Sequence, residues 1–272
     1  MTITPCSQRF RSVYIEAFGP PAVGKSYVAG QIVAAVRSAG SPLQIEPYSL
    51  APAGRSRRTV LKIAITLRYL SVIAPRWRAL IAVAYRTPWV STRGAARGLA
   101  NWVQLIAMIR YLHGSNAPIL LSQGIGQAMW SLRFRSVPSS GRNFPMRAWL
   151  DLTLSLLPDR ELVVLSISAE SNKVRERLYG RRNGQSVLDR EASGCTAVRM
   201  QTDIALREVR AELENLQKTG RLRIIDFDNS KDDIDANEAQ SIGSKLGILF
   251  NYDRSDGVVM SATCPSNNRK LD

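Results

Sequence analysis

The sequence predicts an α/β domain in which a parallel sheet carries helices on both faces and a basic helical insertion interrupts the strand order. Three observations predict it. Short β-branched and apolar runs alternate with stretches of helical period, the pattern of βαβ units. A glycine- and proline-rich turn joins the first such strand to the first such helix. Finally, the whole positive excess of the chain is confined to one long window free of acidic residues.

Taken in order, Val13 to Phe18 is a β-branched and aromatic run, and Lys25 to Ala39 is apolar at helical spacing with Gly40 behind it. Leu43 to Ile45 is a second short strand, stopped by Pro47. Thr59 to Ala84 and Gly98 to Leu112 have helical periodicity broken at Pro75 and Pro88, which places a helical insertion at about 49–112. Ala117 to Leu121 and Glu161 to Ile167 are continuous apolar runs of the kind buried in parallel sheets, each followed by a helical pattern. Arg221 to Phe227 is a further strand and Asp235 to Ile248 a last helix. From Asn251 the chain is polar and without period, so the domain is expected to span 1–250 and a flexible tail 251–272.

The 272 residues, 45% hydrophobic and 22% charged, exclude a disordered or fibrous chain. Cys6, Cys195 and Cys264 are far apart and lack C-x-x-C spacing, so neither a disulfide framework nor a zinc site is indicated, and a cytoplasmic location is expected. The first twelve residues have no apolar h-region. The longest charge-free stretch, Tyr111 to Leu132, is too polar for a membrane span, so no transmembrane segment is expected. The net charge is +15, yet between Pro47 and Leu150 fifteen basic residues meet no Asp or Glu, while outside that window 22 basic residues face 22 acidic ones. A field of one sign indicates an anionic partner, nucleic acid or acidic lipid, or a phosphorylated substrate; a solvated basic face is the alternative.

The residues that bear chemistry begin at Gly19-Pro20-Pro21-Ala22-Val23-Gly24-Lys25-Ser26, which satisfies G-x-x-x-x-G-K-[ST] between a strand and a helix. Backbone N–H groups of such a loop, P-loop in form, turn inward on phosphate oxygens while the helix N-terminus adds its positive end. The segment Gly19 to Tyr27 is thus the candidate ATP site, with Lys25 reaching the β- and γ-phosphates and Ser26 the magnesium ion. Ala22 stands where many such loops carry glycine. After the strand at Glu161, Lys173, Arg177 and Arg181 are spaced four apart, with Arg182 beside them. They form a cluster suited either to stabilising a transferred phosphoryl group or to a solvated helix face.

These segments, together with Glu46-Pro47 and Arg177-Leu178-Tyr179-Gly180-Arg181, resemble the thymidylate kinase and deoxynucleoside kinase group of P-loop kinases over roughly residues 13 to 248. The resemblance implies a P-loop NTPase fold, ATP and magnesium as cofactors, and γ-phosphoryl transfer to a small acceptor: a nucleoside, nucleotide or sugar. It gives Lys25, Arg177, Arg181 and Arg182 charge-stabilising roles, makes Glu46 the base for the acceptor hydroxyl, and sets Gln123 and Gln127 in an acceptor-binding loop. A homodimer is compatible with it. The sequence departs from the group after Leu121, where Ser122 and Gln123 stand in place of an Asp-Arg pair that helps hold magnesium. That departure supports a second reading, a nucleotide-binding protein with weak or no kinase activity acting through its basic segment. Glu16, mid-strand, must be paired or do chemistry. The lone His113 has no nucleophile beside it in sequence, Asp226 and Asp228 cap a loop, and core packing is the default for Trp77, Trp89, Trp102, Trp130 and Trp149, with base stacking open to one or two.

Overall fold

The computed structural model describes residues 13–38, 43–45, 55–113, 117–121, 123–136, 143–157, 161–179, 196–231, 234 and 236–246. Its strands are β1 (Val13–Phe18), β2 (Gln44–Ile45), β3 (Ile119–Leu121), β4 (Glu161–Ser168) and β5 (Arg223–Asp228). They form one sheet in the order β2-β3-β1-β4-β5 with every neighbouring pair parallel. The central strands β1 and β3 are buried throughout, which explains their unbroken apolar runs. At the edge, β5 is less completely buried, yet it contributes to both cores, Ile224 on one face and Phe227 on the other.

Helices flank both faces. They are α1 (Lys25–Ser38), α2 (Arg55–Ile73), α3 (Trp77–Arg86), α4 (Thr92–Leu112), α5 (Ile125–Phe134), α6 (Met146–Leu156), α7 (Ser171–Tyr179), α8 (Thr196–Lys218) and α9 (Ala236–Lys245). The period of two along β1 sorts them: Val13, Ile15 and Ala17 pack with Ile32 and Val36 of α1 and Ile242 of α9. Tyr14 and Phe18 face the opposite way, into a larger core built with Trp102 and Ile106 of α4, Met129 of α5, Trp149 of α6 and Leu213 of α8. Two buried indoles there keep their polar atoms satisfied. Trp102 Nε1 donates to Thr153 Oγ1 at 2.8 Å and Trp149 Nε1 to Thr87 Oγ1 at 2.9 Å, while the rings meet edge to face at 5.5 Å.

The sequence-predicted helical insertion is α2 to α4. Pro75 does not end the helical path; it sits at the start of a single 3₁₀ turn, Ala74–Arg76, that joins α2 to α3. Pro88 does separate α3 from α4, whose N-cap Ser91 accepts from Gly94 N–H at 3.0 Å. Some of the basic window is neutralised by acids from elsewhere in the chain. Arg133 makes a two-pronged pair with Glu208, tying α5 to α8, and Arg147 binds Asp151 and Glu212. Among the described residues no helix is long and apolar enough to cross a membrane. The tail at 251–272 lies outside the described residues.

Candidate active site at the carboxyl edge of the sheet

Strand β1 lies between β3 and β4, so the chain leaves it at the point where the order of strands diverges, and ligand clefts in open α/β sheets form beyond the carboxyl ends of such strands. The loop 19–26 starts there. Gly19 has φ 153°, and a Cβ on it would collide with the Ile167 carbonyl oxygen of β4. Gly24 has φ 95°, and a Cβ there would strike the Asn229 amide. Between them Ala22 is left-handed at φ 66°, the conformation for which glycine is the usual choice. Three such dihedrals within six residues curl the backbone before α1 begins at Lys25.

Four side chains fix the loop's surroundings. Lys25 folds over it, its Nζ donating to the carbonyl oxygens of Gly19 at 2.8 Å and Pro20 at 2.9 Å. Asn229, only 1% exposed just past β5, donates from Nδ2 to Val23 O at 2.7 Å, and its own N–H reaches Ser168 O of β4 at 2.7 Å. Arg177 of α7 donates from Nη1 to Val23 O at 3.3 Å and Asn229 O at 3.2 Å. The hydroxyl of Tyr27, in the first turn of α1, accepts from the Ile234 N–H at 3.4 Å, and Ser26 beside it is exposed. The loop, α7 and the exit of β5 are thereby held together around one edge.

The second loop of the site follows β3. Glu16, paired in register with Leu121, is fully buried, and its Oε1 accepts from the Gln127 N–H at 3.1 Å. Its carboxylate lies against Gly124 and Gly126, where any Cβ would overlap it or Phe18. A negative group is therefore set at the N-terminus of α5, where the free N–H groups and the helix dipole favour it. Gln127 is half-buried with its Oε1 lacking a hydrogen-bond partner, and Gln123 is exposed at the loop's start. Elsewhere on this edge, Arg210 grips Asp226 at 2.7 and 3.1 Å and holds that carboxyl below its usual range, while Asp228 accepts from Ser230. That local bond is the cap expected of Asp228; Asp226 is instead an ion-pair partner.

The structure brings Gly19 to Tyr27 and Arg177 to one place; after the neighbouring strand Gln123 is on the loop, whereas Gln127, expected on that loop, lies in the first turn of α5. Glu46, Ser122, Arg181 and Arg182 lie outside the described residues. Lys173 and Arg177 share α7, which ends at Tyr179, so the four-residue spacing is on the helix for these two. Sequence reasoning missed Asn229, whose partner is 206 residues away; an Asn directly after a strand was the only signal. It left open whether Glu16 is paired, and the Gln127 N–H is a partner. Tyr14 Oη also lies 3.1 Å from His113 Nδ1, a contact between β1 and the C-terminal end of α4 that no spacing reveals. No protein-family model and no curated protein sequence matches the chain.

Proposed function

We propose that the chain is an ATP-dependent phosphotransferase acting on a small acceptor, in the manner of thymidylate and deoxynucleoside kinases. The observation that carries this reading is the curled loop Gly19–Ser26, at the carboxyl end of the central strand, opening directly onto α1 with Lys25 as its first residue. A loop of this form presents N–H groups to phosphate oxygens, and the cations Lys25 and Arg177 border it.

The residues fit the group they would hold. The helix entrance has no acidic residue in its first turn to repel phosphate, and Ser26 is exposed where a magnesium ligand must be. Bound ATP with magnesium supplies the transferable phosphoryl group. Lys25 exchanges its carbonyl partners for phosphate oxygens and neutralises charge at the reacting end. Arg177, already fixed by backbone carbonyls, adds a positive field at the loop's rim; Arg181 and Arg182 follow it in sequence and are assigned the same duty. Glu46 takes the acceptor's proton, and Gln123 and Gln127 orient the acceptor, the free Oε1 of Gln127 offering an acceptor atom for a substrate hydroxyl.

ADP formation measured across a panel of nucleosides, nucleotides and sugars tests the proposal. Turnover stimulated by one acceptor class is the expected result. The absence of a carboxylate at Ser122 and Gln123 favours the second reading, a nucleotide-binding protein with weak or no kinase activity; ATP binding by calorimetry without acceptor-stimulated turnover would establish it. No ATP binding at millimolar nucleotide overturns both.

A further inference from the structure

The helical insertion presents apolar residues on two opposite sides. On α2, Ile65 and Ile73 turn into the core, as an amphipathic helix requires. Yet Val60, Ile63, Leu67 and Leu70, at helical spacing on another side, are exposed, Leu67 at 63%. On α3, Leu80 and Val83 point inward while Trp77, Ile81 and Tyr85, one turn apart, form a second exposed stripe, at 58%, 50% and 84%. Between them, and closed below by Val103 of α4, runs an apolar groove of about 550 Å³. Contiguous exposure on this scale marks an interaction surface.

Charge decides what fits it. Arg68, Arg78, Arg86, Arg93 and Arg97 on the same three helices, and Arg76 in the turn between α2 and α3, are exposed, and none of them pairs with a carboxylate among the described residues. In a two-fold dimer the patch would face itself, setting like charges together with no acidic residue in the window to offset them. Nucleic acid would meet the arginines but leave the aliphatic stripes Val60, Ile63, Leu67, Leu70 and Ile81 in water, since these neither stack on bases nor contact phosphate. An anionic lipid surface satisfies both halves: headgroups take the arginines, the acyl boundary takes the stripes, and Trp77 and Tyr85 have the amphipathic rings that settle between. We propose that α2, α3 and α4 dock the protein on acidic phospholipid bilayers, the apolar groove facing the membrane and the arginines ringing it. The attachment is peripheral and independent of the nucleotide site.

Sedimentation of the full chain with vesicles of phosphatidylcholine, with and without phosphatidylserine, tests it. Binding is expected only with phosphatidylserine and to fall steeply with salt. Trp77 is the one exposed tryptophan, so its emission should shift to the blue on binding, a shift that Trp77→Phe removes. Arg76→Gln with Arg78→Gln should weaken partitioning on the order of tenfold or more. Leu67→Gln with Ile81→Gln leaves the charge unchanged and both positions are exposed, so folding is retained by circular dichroism; it too should weaken partitioning by about tenfold. Three results overturn the proposal. One is undiminished vesicle binding by the Leu67 and Ile81 variant, which would reduce the contact to charge alone. Another is a Trp77 already shielded from an aqueous quencher before vesicles are added, which would give the groove to a second copy or to another part of the chain. The third is retention on nucleic acid with none on vesicles.

Discussion

Two helix entrances stand side by side at the carboxyl edge of the sheet, after β1 and after β3, and they are finished differently. Both follow buried parallel strands, both are shaped by glycine, and neither α1 nor α5 carries an acidic residue in its first turn. The entrance of α5 is filled by the chain's own carboxylate, Glu16, on Gln127 N–H. Among the described residues, Lys25, Arg177, Asn229 and Tyr27 surround the entrance of α1, and two of them are cations. Each entrance has the same attraction for an anion. A helix end satisfied internally is part of the scaffold, whereas one ringed by cations is suited to an anion from outside.

The comparison breaks most visibly at Lys25. Lys25→Ala should lower acceptor-stimulated ADP formation by ~10²–10³-fold, the usual loss when one preorganised charge is removed from a phosphoryl-transfer site. Denaturant unfolding should move by less than about 1 kcal/mol, because the half-buried ammonium's bonds to Gly19 O and Pro20 O can be exchanged for water. A stability loss as large as the activity loss would make Lys25 a clip for the loop and erase the contrast.

The counterpart experiment is at Glu16. Glu16→Ala leaves the partly buried Gln127 N–H without this partner and opens a cavity against Gly124 and Gly126, costing about 3 kcal/mol by thermal or denaturant unfolding. Glu16→Gln keeps the shape and an acceptor oxygen but loses the charge at the helix end, at about 1 kcal/mol. Equal losses would mean that packing, not the anion, sustains α5. If Glu16→Gln melts as wild type but turnover collapses, the carboxylate belongs to the chemistry and the two entrances form one site.

This division was partly legible in the sequence. Every strand of the sheet was, because runs such as Val13 to Phe18 and Glu161 to Ile167 must be apolar to lie between two layers of helices. The tight turn from β1 into α1 was legible because its glycines and prolines are close together in the chain. What stayed hidden came from contacts across long separations: Glu16 to Gln127 spans 111 residues and Asn229 to Val23 spans 206. A local pattern carries no signal for either. The exposed stripes of α2 and α3 were hidden for another reason, since periodicity identifies a helix without saying which of two apolar sides the core takes.

A sharper version of the comparison uses Asn229, which braces the α1 entrance from β5. Asn229→Ala loses the bond to Val23 O but also removes an Oδ1 that is buried without a hydrogen-bond partner. The two effects oppose each other, so the net loss should be about 1 kcal/mol by thermal unfolding. Nucleotide affinity, measured by calorimetry, should fall several-fold as the loop gains freedom. Unchanged affinity would show that the loop holds its curl without its brace.

The smallest effect is expected at Ala22, where the loop departs from glycine. At φ 66° an L-residue bears ~1–2 kcal/mol of strain against its own Cβ. Ala22→Gly relieves that strain, but glycine has more freedom to lose on folding, a cost of ~0.5–1 kcal/mol. The balance is a gain of about 0.5 kcal/mol, readable as a small rise in melting temperature, with ATP affinity nearly unchanged because the N–H directions are set by Gly19 and Gly24 on either side. A fall in ATP affinity without a fall in stability would assign Ala22 a different duty: the methyl group, buried at the loop's centre, would then be what holds the α1 entrance curled before phosphate arrives.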